Sequence, residues 1–210
     1  MTVVEVPSSS TGLIARVQNI LMKPAAEWDV IAGEPASVQG LYTGYICILA
    51  AIPALASIAG NLLLSHWLVI PALIGAVVNY VLTLVGVFVI AFIIDALAPS
   101  FGAEKNQIQA LKLVGYSYTA SWVAGIFLII PFLGGLLAAL GGLYSLYLMY
   151  LGLPKLMKSP EDKTVGYFVV SILCAIGVYI VIAIILAIIA TMAVVGAAAT
   201  GAAALGTTHY

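Results

Sequence analysis

The sequence predicts an all-α polytopic membrane protein, with five transmembrane helices preceded by N-terminal amphipathic interfacial helices. Three observations carry that expectation. Charged residues make up only 7% of the chain and apolar residues 64%, with a mean hydropathy of +1.21; a soluble domain carries roughly 25% charge to hydrate its surface. Five apolar runs each reach the length of about 20 residues that a helix needs to cross a hydrocarbon core. All seven Lys and Arg residues fall on one side of a five-span arrangement.

The chain begins with a polar stretch, 1–10, containing Pro and Ser and expected to be disordered. No basic stretch followed by an apolar core precedes the first span, which argues against a cleaved signal peptide. Residues 11–36 form the interfacial region. Leu13, Ile14, Val17, Ile20 and Leu21 recur at helical spacing, with Arg16, Gln18, Asn19 and Lys23 elsewhere on the wheel. Ser9, Ser10 or Thr11 is positioned to cap that helix. It is too short to span, so it is expected to lie on the membrane surface. Pro24 suits the first position of a second short helix, which sets Trp28 and Ile31 against Glu27, Asp29 and Glu34. Arg16, Lys23 and Trp28 are the expected interfacial anchors, Trp28 at headgroup level. Two readings stay open: an anchor that orients the bundle, or a docking surface for a cytosolic protein.

Residues 37–195 form the bundle, with spans at about 41–64, 68–98, 111–130, 131–153 and 165–195. The second and fifth exceed the minimum and are expected to tilt or to extend beyond the core. Pro131, Gly134 and Gly135 mark the turn between the third and fourth. Residues 196–210 are a small-residue tail, either fraying helix or loose coil. Arg16 and Lys23 precede the first span, Lys105 and Lys112 lie between the second and third, and Lys155, Lys158 and Lys163 lie between the fourth and fifth. Positive charge is retained on the cytoplasmic side. The N-terminus is therefore expected inside and the C-terminus outside.

Polar side chains within spans are the default functional candidates, because leaving them in lipid is costly. Asn79 lies near the middle of the second span and needs a hydrogen-bond partner, for helix adhesion or to line a polar path. Asp95 closes that span and belongs to the candidate polar pocket, either as a solvated interfacial charge or as a proton-coupled site. It stands about 160° around the helix from Asn79. The third span opens with Tyr116, Ser117, Tyr118, Thr119, Ser121 and Trp122, the most polar part of any span. On the fourth, Gly134, Ala138 and Gly142 form a small-residue packing face, and Tyr144, Tyr147 and Tyr150 follow. Antiparallel pairing of these two spans brings the tyrosines to the hydroxyl cluster. An aromatic belt and a hydroxyl-lined pocket both fit this arrangement.

No catalytic or metal-ligating constellation is visible. His66 and His209 have no Cys, Asp or Glu at ligand spacing, and neither HExxH nor GxSxG occurs. Cys47 and Cys174 lie in apolar runs as small hydrophobes. The chain has no basic patch for nucleic acid. No enzyme activity and no cofactor are expected; membrane lipids are the expected partners, and a homo-oligomer is compatible with the packing face.

The stretches GYSYTxxWV, IPxLG and YSLYLxYLGLP, with a closing loop ending near GY, together resemble the YIP-domain family of Ypt/Rab-interacting membrane proteins in its bacterial branch. RVQNILMKPAAEWDVIAGEP resembles the ILxxPxxxW segment that precedes the first helix there. The resemblance runs from about Thr11 to about Val195. Two departures stand out: Ala120 replaces the usual Pro of GYSYTP, and the acidic, Pro-containing motif of eukaryotic members is missing. The resemblance implies five spans with a cytosolic N-terminus in a bacterial inner membrane. In eukaryotes the family acts in vesicle trafficking through GTPase and self-association contacts. The expected function is non-enzymatic membrane organisation or partner recruitment at the cytoplasmic face. The alternative is a small transporter, channel or lipid-handling protein with a polar cavity that Asn79 faces.

Overall fold

The computed structural model describes residues 12–64, 69–130 and 133–206, and every regular element among them is a helix. The stretch 1–10, His66, the Pro131 turn and His209 lie outside the described residues.

Two short helices come first, α1 (Leu13–Met22) and α2 (Pro24–Gly33). Gly12 precedes α1 with no side-chain cap, in place of the capping hydroxyl expected there. Pro24 opens α2, where its missing N–H costs nothing. A single residue, Lys23, folds one helix back on the other. Ser37 then caps α3 (Val38–Leu41) by accepting the Gly40 N–H at 3.0 Å. The chain continues through a π-helical turn, Tyr42–Ile46, into α4 (Cys47–Leu64).

Next, α5 (Val69–Leu97) ends in a 3-10 turn, Ala98–Phe101. Gly102 stops that turn at φ 69°, a left-handed conformation that favours glycine. Asn106 caps α6 (Gln107–Ser117), its side chain accepting the Gln109 N–H at 3.1 Å. A break at Tyr118 separates α6 from α7 (Thr119–Ala124), and a 3-10 turn, Gly125–Ile129, follows. The last two elements are α8 (Leu133–Met157) and α9 (Glu161–Gly206).

Four stretches are long and apolar enough to cross a membrane: Val38–Leu63, Leu73–Phe101, Leu133–Met157 and Glu161–Met192. The third expected span is the run of shorter pieces α6, α7 and the 3-10 turn, so a count of five is approximate. The break comes without proline. Thr119 Oγ1 donates back to the Tyr116 carbonyl at 2.7 Å, and the Ser121 N–H donates across to Ser145 Oγ on α8 at 3.0 Å. Side-chain hydroxyls here compete with the helix ladder. At its far end α9 is helical to Gly206, the helical one of the two alternatives for the tail. Its 46 residues make roughly 69 Å at 1.5 Å per residue, more than twice the roughly 30 Å of a hydrocarbon core.

The core gathers at one end of the bundle, where α1 and α2 fold over α6, α7 and α8. Ile20, Trp28 and Ile31 of the two short helices are fully buried together with Leu111, Leu113, Leu148 and Leu153. Trp28 rests in a notch at Gly152, where an added Cβ would come within 2.8 Å of both Trp28 and Leu113. The N-terminal helices are therefore part of the packed core and do not merely rest on a surface.

Candidate functional site

Two sites come together at the capped end. The first is a buried clamp. Arg16 of α1 is 5% exposed; its Nη1 donates to Glu27 Oε1 at 2.5 Å, and its Nη2 donates to both carboxylate oxygens of Glu34 at 2.5 Å. The guanidinium also lies 5.8 Å from the centre of the Tyr116 ring. Burial works against its charge, but the hydrogen bond and charge of Glu34, with Tyr116 and Glu27, outweigh it and raise the Arg16 pKa above its ordinary value.

Lys112 of α6, also buried, donates its Nζ to the Ile31 carbonyl at 2.8 Å and to the Glu34 carbonyl. An ammonium there satisfies carbonyls left open at the end of α2 and meets the negative end of its dipole. Tyr116 stands at the centre, edge-on to Trp28 at 6.4 Å and 4.5 Å from Tyr45. The Tyr45 hydroxyl is 2.7 Å from Thr119 Oγ1, and the Tyr144 hydroxyl donates to the Leu21 carbonyl at 2.8 Å. Gln109 donates to the Ala32 carbonyl at 3.0 Å. At the rim, Lys155 Nζ donates to Asp29 at 2.6 Å and to the Ala25 carbonyl at 2.6 Å.

The second site is a cavity of about 390 Å³ between α6–α7, α8 and α9. Ser117, Tyr118, Ser121, Ser145 and Tyr179 supply its polar groups, and the rest of its wall is aliphatic and small side chains with Met149. Tyr118 meets Tyr179 edge-on at 6.3 Å and stacks on Trp122 at 5.8 Å.

The expected polar cluster is thus divided between two sites. Ser117, Tyr118 and Ser121 line the cavity, whereas Tyr116, Thr119 and Tyr144 belong to the clamp. Tyr147 and Tyr150 are exposed, Tyr147 tilted against Tyr144 at 5.6 Å and Tyr150 edge-on to Phe168 at 5.2 Å. Asn79 is exposed on the outer face of α5, where its backbone carbonyl accepts the Thr83 hydroxyl at 2.8 Å. It does not face the cavity.

Asp95 is 5% exposed, with no hydrogen-bond partner for Oδ1 among the described residues, so the solvated charge expected there is buried. The neighbouring Tyr167 hydroxyl donates to the Ile94 carbonyl at 2.5 Å. Arg16 and Trp28, expected as surface anchors, point into the core, while Lys23 is exposed.

The small-residue face also shifts. Gly134 is buried, Ala138 is half-buried, and Gly141 takes the close contact in place of Gly142: a Cβ on Gly141 would meet the Ala120 carbonyl at 2.8 Å and the Ala124 methyl. Seven residues return to within about 20° of the starting face, whereas eight overshoot by about 80°. Nothing lies within 4 Å of a Cβ at Gly142, which lines the cavity instead.

Residue-level reasoning missed Glu27 and Glu34 as partners of Arg16, Lys112 as a cap on α2, and Ser145. Ser145, the single serine of the fourth span, was a readable signal for the last. Among the described residues no three of His, Cys, Asp and Glu come together as a metal site, and Cys47 and Cys174 are free thiols.

Helices of this length and apolarity, with charge confined to one end, define an integral polytopic membrane protein. The chain belongs to the Yip1 domain family, whose profile matches residues 19–185. It is similar to the inner membrane protein YohC of Escherichia coli strain K12, 27% identical over 167 residues that cover 73% of this chain and 85% of that protein. YohC of Escherichia coli O6:H1 matches to the same extent. No solved structure matches.

Proposed function

We propose that this chain is a non-enzymatic protein of a bacterial inner membrane that recruits a cytosolic protein to its capped end. The N-terminus is cytoplasmic and the C-terminus lies outside. The orientation rests on the one-sided placement of Lys and Arg, and the membrane on the name of the YohC relative.

The observation that carries the reading is the rigid presentation of α1 and α2. Arg16 and Lys112 fix the two helices from beneath, and their outer face keeps Ile14 74% and Met22 80% exposed. Val30 is also exposed, Asp29 lies beside it on α2, and Lys23 stands in the turn between the two helices. Apolar anchors set among charges on a held surface suit a protein partner with a complementary patch.

Deleting the two helices is the wrong test, because it also removes Trp28 and Ile31 from the core. The informative variant is Ile14→Asp with Met22→Asp, which leaves every buried side chain in place. Cross-linking in intact cells from the Gln18 position is expected to lose the partner adduct in this variant while the melting temperature is kept. An unchanged adduct would overturn the reading.

A further inference from the structure

The clamp pairs its charged groups, although Trp28 Nε1 and Gln109 Oε1 have no partner among the described residues. The cavity between α6–α7, α8 and α9 instead gathers unpaired hydroxyls. Hydroxyls within apolar helices ordinarily bond back to a carbonyl three or four residues earlier. Ser57 does so to Ala54 at 2.8 Å, Thr83 to Asn79 at 2.8 Å, and Thr119 to Tyr116 at 2.7 Å.

The three serines of the cavity depart from that habit. Ser117 is 2% exposed, and its Oγ has no hydrogen-bond partner among the described residues. Ser145 Oγ accepts the Ser121 N–H, but its own proton goes to no acceptor among the described residues, and neither does that of Ser121. Three serine O–H groups therefore lie at one cavity with no carbonyl or carboxylate acceptor among the described residues, and the other oxygens of its wall are the hydroxyls of Tyr118 and Tyr179. A buried donor without a partner costs free energy that a bound acceptor would recover.

The chemistry of that acceptor is constrained. No Lys, Arg or His lines the cavity, so neither a phosphate nor a free carboxylate would find a counter-charge there. The acceptor is neutral. The remainder of the wall is Leu146, Met149, Ile172 and Ile176 with small side chains, so most of the ligand is apolar. At the mouth Leu146 is 37%, Ile176 49% and Tyr179 41% exposed, on the apolar outer surfaces of α8 and α9. The cavity therefore opens sideways toward lipid. Its volume of about 390 Å³ falls in the range of small-molecule sites, about 300–1,000 Å³.

We infer that this cavity binds one acyl chain of a membrane glycerophospholipid, with the ester carbonyl accepting from the hydroxyls of Ser117, Ser121 and Ser145. The bilayer presents ester-linked chains at the mouth at very high local concentration, so modest contacts suffice for occupancy. The site is distinct from the outer face of α1 and α2 and stands whether or not a cytosolic protein docks there.

Native mass spectrometry of the full chain, delipidated in detergent and titrated with dioleoyl phosphatidylethanolamine or its dialkyl-ether counterpart, tests this. One ester lipid per chain is expected to bind, and the ether analogue more weakly by about fivefold for each carbonyl hydrogen bond lost. Ser117→Ala removes an O–H that no protein group uses, so the fold is kept while the preference for ester over ether shrinks. Gly142→Phe places a ring in the cavity from a position with open space around its Cβ, and is expected to abolish the one-lipid adduct. Equal binding of ester and ether lipids, or full binding by the Gly142→Phe variant, would each overturn the assignment.

Discussion

Two helices of this bundle, α6 and α9, invert the relation between polarity and burial that holds in water. In α6 every residue from Ala110 to Ser117 is buried, including Lys112, Tyr116 and Ser117. In Glu161–Met192 of α9, the most apolar window of eighteen residues has none buried. Lipid tails are as apolar as leucine, so an aliphatic side chain gains little by turning inward. A lysine gains a great deal, because inside the bundle Lys112 finds carbonyls that lipid does not offer. The core of this protein is therefore its most polar span, and its wall is its least polar.

Arg16→Met should break that contrast most severely. It strands Glu27 at a buried site, and losing one partner of a buried ion pair costs about 3 kcal/mol or more. Thermal unfolding in detergent would show the largest fall in melting temperature here. A fall no greater than that of a surface variant would mean that the clamp does not hold the cap.

The neighbouring glycines Gly141 and Gly142 sharpen the comparison within one turn of α8. Gly141→Ala is expected to destabilise by about 1–3 kcal/mol through collision with the Ala120 carbonyl. Gly142→Ala has free space and should gain up to about 1 kcal/mol from helix propensity. Opposite signs in the same unfolding assay are the expected outcome.

Lys155→Ala removes an ion pair whose side chains are 31% and 67% exposed, so its effect should stay below about 1 kcal/mol and fade with added salt. Smallest of all is Ile184→Ala, on the exposed face of α9, expected within about 0.5 kcal/mol. A core-sized loss at Ile184 would show that a second surface covers α9.

The fold class was legible in the sequence because hydropathy reports the solvent that a segment prefers, and lipid is the solvent of these segments. The division of the polar cluster was not legible. Tyr116 and Ser117 are adjacent in the chain and serve different sites, since one residue turns a helix by 100° and the break at Tyr118 resets the phase after it. The partners of Arg16 were hidden for another reason. Its charge is met from a second helix folded back through Lys23, and periodicity along one helix carries no information about that fold-back. Trp28 looked interfacial because tryptophan and short amphipathic helices both favour headgroups. The Gly152 notch, far along the chain, is what draws it inside.

The contacts of the cap also have a direction in time. Leu21 waits for Tyr144, 123 residues later, and Ala25 for Lys155, 130 residues later. At synthesis rates of about 5–20 residues per second, the two helices made first remain undocked for roughly ten seconds. Trp28 and Ile31 stay uncovered through that interval, so the amphipathic pattern that misleads about the finished structure is well suited to the unfinished one. A resting place at the membrane surface would hold the hairpin until α8 arrives, so helices synthesised early are locked only after most of the bundle has been made.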